Sequence, residues 1–238
     1  MNAAAACPSP ACASPVYPSY VDLDPFIDVE RLRALDGLVR SVLMRRLEAS
    51  GDLAFYTGPF LLRGDLPPLP GSKLVYLSKA AGEDNYYDLD RTDLWRPTAD
   101  AEEFAPLMDF IATLPFEATG RMIIMYDFNG RPVSAHRDHD SQDLCHEFVW
   151  FRTNMGKPFY MLNPATGEKL YVRSHSAWFD SVNQYHGADG GDGLSFSIRV
   201  DGRFSDEFRA QIPFPTENRA SAAALWTEAA VRAEAQPA

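Results

Sequence analysis

Five histidines occur in the chain, and three of them, His136, His139 and His146, crowd into the segment from Ser134 to His146. His186 stands apart, in Asn183-Gln-Tyr-His-Gly187. In an extended strand residues i and i+2 project to the same side, so His136 and Asp138 can present an imidazole and a carboxylate to one point. A third ligand has to come from elsewhere. His186 is the candidate, at a strand end and followed by a glycine that permits close backbone approach. Two neutral imidazoles and one carboxylate leave coordination positions open, which suits non-haem Fe(II) and O2 chemistry. A helical segment would instead align His139 with His136 or place it beside Asp140, but no apolar helical stripe accompanies it. The extended reading therefore holds, and His139 faces away from His136.

The stretch Leu194-Ser-Phe-Ser-Ile-Arg-Val200 alternates strictly. Leu194, Phe196, Ile198 and Val200 share one face, while Ser195, Ser197 and Arg199 share the other. On that polar face Arg199 can grip a carboxylate bidentately with the Ser197 hydroxyl beside it. Arg199→Ala is expected to weaken such an anion while leaving the metal nearly untouched.

His136-x-Asp138, His186 some 48 residues after the aspartate, and Ser197-x-Arg199 thirteen residues after the histidine together resemble the Fe(II)/2-oxoglutarate-dependent oxygenases, over about residues 115–205. More narrowly, Phe179-Asp-Ser-Val-Asn-Gln-Tyr-His186 followed by Arg199-Val-Asp201 is similar to the aspartyl/asparaginyl β-hydroxylase and cis-proline hydroxylase branch. The resemblance implies a double-stranded β-helix, jelly-roll and cupin-like, with Fe(II) held by His136, Asp138 and His186. It implies O2 and 2-oxoglutarate as co-substrates, the distal carboxylate of the latter bound by Arg199. In that branch an arginine and a histidine on the strand after the first metal ligands help hold the co-substrate. His146 and Arg152 share a strand face with Phe148 and Trp150 and are the candidates for that role, in reversed order and with a larger separation. The implied reaction is hydroxylation of a small molecule, a free amino acid or amino-acid-like metabolite whose carboxylate Arg137 and Arg152 could pair. The competing readings are a non-catalytic cupin-like metal- or ligand-binding module, a hydroxylase of peptide or protein residues, and a zinc hydrolase. The last calls for a general base beside the metal, which the sequence does not single out.

The elements that must position these residues are legible in outline. Residues 1–22 are rich in Ala, Pro and Ser and read as a disordered leader, leaving 23–238 as a single oxygenase domain. Its helical part spans 23–115, its β-helix core about 116–205, and a last helix about 216–235. Asp24-Pro25 predicts a helix start, and Leu32, Leu35, Val39, Val42 and Leu43 carry the helical spacing to near Gly51. A second helix is predicted over Phe104, Leu107, Met108, Ile111 and Leu114. Short apolar runs at 53–56 and 74–77 read as strands, as do 121–128, 147–152, 158–162, 169–173, 177–182 and 194–200. Many short strands after N-terminal helices predict a mostly β protein with flanking helices, not an alternating β/α fold.

The chain has 238 residues, 46% of them hydrophobic and 23% charged, with a net charge of −11. That charge argues against nucleic acid and anionic membrane as partners. No run approaches the length of a bilayer span. Cys7, Cys12 and Cys145 suggest no disulfide framework, so a reducing cytoplasm is the expected location. Oligomeric state is not encoded in any of these patterns.

Overall fold

The computed structural model describes residues 20–50, 72–80, 93–127, 130–138, 147–164, 166–181 and 184–212. A short strand β1 (Val21–Asp22) leads through a 3-10 turn (Asp24–Phe26) into helices α1 (Val29–Ala34) and α2 (Asp36–Ser50). Strands β2 (Ser72–Tyr76), β3 (Ser78–Ala80) and β4 (Trp95–Pro97) precede helices α3 (Asp100–Glu103) and α4 (Ala105–Ile111). Then come eight strands: β5 (Phe116–Asp127), β6 (Val133–His136), β7 (Glu147–Phe151), β8 (Phe159–Leu162), β9 (Lys169–Tyr171), β10 (Ser176–Trp178), β11 (Tyr185–Ala188) and β12 (Ser195–Phe204). A one-turn helix α5 (Asp206–Arg209) follows.

Among the eight, β5 pairs with β12 and β8 with β9, while β6 pairs with β11 and β7 with β10, all antiparallel. First pairs with last and second with second-last, which is the pairing of a jelly roll, or double-stranded β-helix. The larger sheet runs β1-β10-β7-β12-β5-β2 and the smaller β6-β11-β8-β9. The protein is therefore mostly β with flanking helices, as its sequence pattern predicts, around a jelly-roll core, as the resemblance implies. No helix among the described residues is long and apolar enough to cross a membrane.

The alternation along β12 decides which way each face looks. Arg40 of α2 donates to the Leu194 carbonyl at 2.6 Å and lies over the Phe196 ring, and Phe110 of α4 meets Phe151 of β7 edge to face at 5.6 Å. The apolar side of the larger sheet, with Ile198 and Val200 fully buried, thus packs under the helices. Burying each such side chain contributes about 1.5–3 kcal/mol. The opposite side, bearing Ser195, Ser197, Arg199 and Asp201, turns toward the smaller sheet, where Trp150 of β7 stacks on Phe159 of β8 at 4.4 Å.

The first helix differs from its predicted form. It breaks between α1 and α2 at Leu35, and the Asp36 carboxylate that opens α2 is tied to the loop after β7, accepting from Thr153 Oγ1 and Asn154 Nδ2, both at 2.5 Å. Pro106 sits in the first turn of α4, where its missing N–H costs nothing. Val21–Asp22, at the end of the segment read as leader, pairs with β10. The predicted strand at 53–56 and the C-terminal helix at 216–235 lie outside the described residues.

Gly187 shows why β11 needs a glycine. A Cβ there would stand 2.7 Å from the Val133 carbonyl oxygen and 2.7 Å from Tyr160 Oη. Gly187→Ala is expected to destabilise the protein by about 1–3 kcal/mol, as overpacking does. A thermal melt with a fall of several degrees would bear this out. An unchanged melting temperature would mean that β6 and β11 separate without cost.

Candidate metal centre

β6 and β11 are neighbours in the smaller sheet, and their register sets His136 directly opposite His186. Directly opposed side chains on adjacent strands stand side by side. The two imidazole centroids are accordingly 4.5 Å apart. Asp138 lies just beyond β6, fixed by its backbone N–H, which donates to the Ser181 carbonyl at 2.7 Å. Its Oδ1 is 3.4 Å from His186 Nε2 and 3.8 Å from His136 Nε2. One ligand atom from each residue falls within 4.8 Å of the others.

Backbone carbonyls set the form of both imidazoles. His136 Nδ1 is 2.8 Å from the Ser134 carbonyl oxygen, and His186 Nδ1 is 3.0 Å from that of Gln184. A carbonyl only accepts, so Nδ1 carries a proton in both rings and Nε2 is the nitrogen turned toward the cluster. Burial and the neighbouring His186 hold the His136 pKa below its usual value, against the Ser134 carbonyl and Asp138, so the neutral form is favoured. Burial alone would raise the Asp138 pKa, but His186, Arg199 and His136 together hold it well below the usual carboxylate range. Two imidazole Nε2 atoms and a carboxylate oxygen therefore converge, a donor set that a cation could take up.

The donor set fits one. Ligands about 2.0–2.2 Å from a shared metal sit about 3 Å apart in cis positions, so the carboxylate–imidazole distances of 3.4 and 3.8 Å would each shorten by less than about 1 Å, and no separation, all being within 4.8 Å, by more than about 2 Å. His186 is buried, at 6% side-chain exposure, whereas His136 is 47% exposed, so the cluster opens to solvent on one side. Phe179 and Phe159 pack on His186, with ring centroids 5.0 and 5.9 Å away, and wall off the other.

Arg199 adjoins this cluster directly. Its Nη1 donates to Asp138 Oδ2 at 2.6 Å and to Ser181 Oγ at 3.3 Å, and its guanidinium lies 3.8 Å over the Phe148 ring. Asp138 thus bridges, with Oδ1 toward the imidazoles and Oδ2 held by the arginine, which leaves it set to bind a metal through one oxygen. Ser197 lies two residues before Arg199 on the same face, opposite Met125 of β5 and partly exposed.

The structure does not bring Arg152 to this cluster. Its guanidinium donates to the carbonyls of Lys157, Val172 and Ser174 and lies over the Trp150 ring. Burial lowers its pKa to about 10, with Asp24 and Tyr20 opposing. Arg137 lies 5.2 Å over the Tyr185 ring. Both residues are chain neighbours of the candidate ligands and so project to the other side of the smaller sheet. His139 and His146 lie outside the described residues.

Sequence reasoning missed the partners of Arg199. Asp201 accepts from Arg199 Nε at 2.9 Å and Nη2 at 2.8 Å through Oδ1, and from Arg121 Nε at 2.8 Å through Oδ2. Extending the polar alternation of β12 one more step would have placed Asp201 beside Arg199. Nothing local pointed to Arg121, eighty positions earlier.

No protein-family model matches the sequence, and no curated protein matches it. Among solved structures, a Pseudomonas putida prolyl-4-hydroxylase is similar at 16% identity, over 79% of this chain and 92% of that one, with a TM-score of 0.41. A prolyl hydroxylase from Trichoplax adhaerens, in complex with a hypoxia inducible factor oxygen degradation domain peptide fragment, is similar at 12% identity, over 75% and 83%, with a TM-score of 0.40. An oxidoreductase of the 2OG-Fe(II) oxygenase family from Burkholderia pseudomallei gives 12% identity, 60% and 73% coverage and a TM-score of 0.36. The jelly roll itself rests on the strand pairing described above, and the centre on its own geometry.

Proposed function

We propose that the protein is an Fe(II)- and 2-oxoglutarate-dependent dioxygenase that hydroxylates a small molecule or a peptide residue. The observation that carries this reading is the convergence of His136 Nε2, His186 Nε2 and Asp138 Oδ1 at an open edge, with the buried cation of Arg199 directly behind them. Two imidazoles and one carboxylate suit Fe(II) and leave positions for further ligands. Iron bound there supplies the activation of O2, one atom of which enters the substrate as hydroxyl and the other the succinate formed when 2-oxoglutarate loses CO2.

The chain's own residues do the rest. His136, Asp138 and His186 hold the metal, and the carbonyls behind each Nδ1 turn Nε2 toward it. Arg199, with the Ser197 hydroxyl nearby, takes the distal carboxylate of the co-substrate through its Nη edge. For this Asp138 Oδ2 must yield part of its contact with Arg199 Nη1. The rings of Phe148, Trp150, Phe159 and Phe179 keep water from the buried side. Arg152 has no part in this reading, because four donor contacts tie its guanidinium to carbonyls. A free amino acid remains one substrate class to screen beside short peptides, without Arg137 or Arg152 as its carboxylate partner.

The test is an anaerobic titration of the protein with Fe(II) and 2-oxoglutarate, followed by admission of O2 and a succinate assay. The expected result is a visible absorption requiring both additions, then slow succinate formation even without the true substrate. Absence of 2-oxoglutarate binding by calorimetry in a sample of verified iron content overturns the reading. Binding with no succinate under any substrate screened points to a non-catalytic binding module.

A further inference from the structure

Behind the metal centre lies a chain of charges: Arg121, Asp201, Arg199 and Asp138, each bonded to the next at 2.6–2.9 Å. Arg121, Asp201 and Arg199 are buried, with side chains 3%, 1% and 6% exposed, and Asp138 ends the chain at the open edge, 36% exposed. Water screens such charges poorly, so their net sum decides what ionic ligand the site accepts without leaving a buried charge uncompensated. The two arginines and two aspartates cancel. A divalent cation at His136, Asp138 and His186 then leaves two positive charges, and a dianion restores neutrality. Without Arg121, Asp201 would fully offset Arg199 and a monoanion would suffice.

We propose that Arg121, joined to the metal ligand Asp138 through Asp201 and Arg199, is a specificity-determining residue that sets the centre's preference for a dicarboxylate over a monocarboxylate 2-oxo acid. It acts through Asp201. By taking Asp201 Oδ2 it leaves only Oδ1 for Arg199, so the guanidinium keeps its net charge while its Nε and Nη2 stay oriented. The bulge in the β5–β12 register between Val200 and Gly202 lies where Arg121 reaches this carboxylate. This inference rests on the 2-oxo-acid reading of the centre.

The experiment compares two ligands that share a chelating 2-oxo acid head and differ in the distal carboxylate, 2-oxoglutarate and 2-oxobutanoate. Their binding to Mn(II)-loaded protein is measured by calorimetry. The wild type is expected to prefer 2-oxoglutarate, and Arg121→Met to reduce that preference by roughly 10- to 50-fold, as removal of one poorly screened charge implies. Arg121→Lys keeps the charge and most of the preference. The double variant Arg121→Met with Asp201→Asn restores the net charge and recovers the preference in part. A purely structural Arg121 would lower thermal stability and weaken both ligands alike, leaving the ratio unchanged, which overturns the proposal. Mn(II) affinity should rise rather than fall in Arg121→Met, because losing one poorly screened positive charge favours a bound cation as much as it disfavours a bound dianion. Should the wild type bind neither 2-oxo acid, the functional reading falls and this inference with it; wild-type preference with an unchanged ratio in Arg121→Met removes this inference alone.

Discussion

His186→Ala and Asp138→Ala are each expected to lose bound iron altogether. A change outside the ligand set costs metal affinity roughly 10–100-fold, and removing one of three protein ligands goes well beyond that. In His186→Ala the imidazole whose Nε2 lies 3.4 Å from Asp138 is gone, and His136 with Asp138 cannot close a facial set alone. Asp138→Ala removes the only charged ligand and also strips Arg199 of its 2.6 Å partner, so a buried guanidinium is left with one carboxylate instead of two. The second variant should therefore be the less stable of the pair. Iron content after anaerobic loading and desalting is the measurement, with thermal melts alongside. Stoichiometric iron in folded His186→Ala would show that the metal, if any, is held elsewhere.

The second large effect belongs to Arg199→Ala, which should weaken 2-oxoglutarate binding by roughly two to three orders of magnitude. A buried carboxylate that loses its charged partner costs about 3–5 kcal/mol. The sequence pattern suggests that iron would be untouched by this change, but the structure alters that expectation. Arg199 Nη1 holds Asp138 Oδ2, so its loss frees the aspartate to rotate, and iron affinity should fall about 10–100-fold as well. Arg199→Lys should recover only part of either property. A lysine ammonium lacks the planar fork that serves Asp201 with Nε and Nη2 and Asp138 with Nη1 at once. Calorimetry of 2-oxoglutarate at saturating Mn(II) separates the anion effect from the metal effect. Unchanged affinity in Arg199→Ala at full metal occupancy would mean that another residue takes the distal carboxylate.

Much of the fold could be read from the chain because strand and helix periods are local. The alternation from Leu194 to Val200 gives both the existence of β12 and its two faces, and helical spacing from Leu32 to Leu43 gives the helices beneath. The strands that carry the candidate ligands were harder. β6 and β11 are four residues each; Val133-Ser-Ala-His136 alternates too briefly to stand out and Tyr185-His-Gly-Ala188 does not alternate, so their existence follows from pairing with each other and with β8. Arg152 illustrates the reverse. Its place on the continuation of β7 suggested a ligand-binding role, yet beyond Phe151 the strand ends and the guanidinium turns to carbonyls of the following loops.

The sequence by itself determined that His136 and Asp138 are separated by one residue in an extended segment, that the glycine after His186 permits close backbone approach, and that Arg199 shares a polar face with Ser197. These are properties of a few consecutive residues, fixed by backbone stereochemistry whatever the rest of the chain does. Only the tertiary structure decided that His186 sits opposite His136, that Arg199 grips Asp138, and that Arg121 shares Asp201 with it. Cross-strand register and the choice of buried ionic partners depend on which distant strands close the barrel and on the need to compensate every charge inside it, and no local period carries that information.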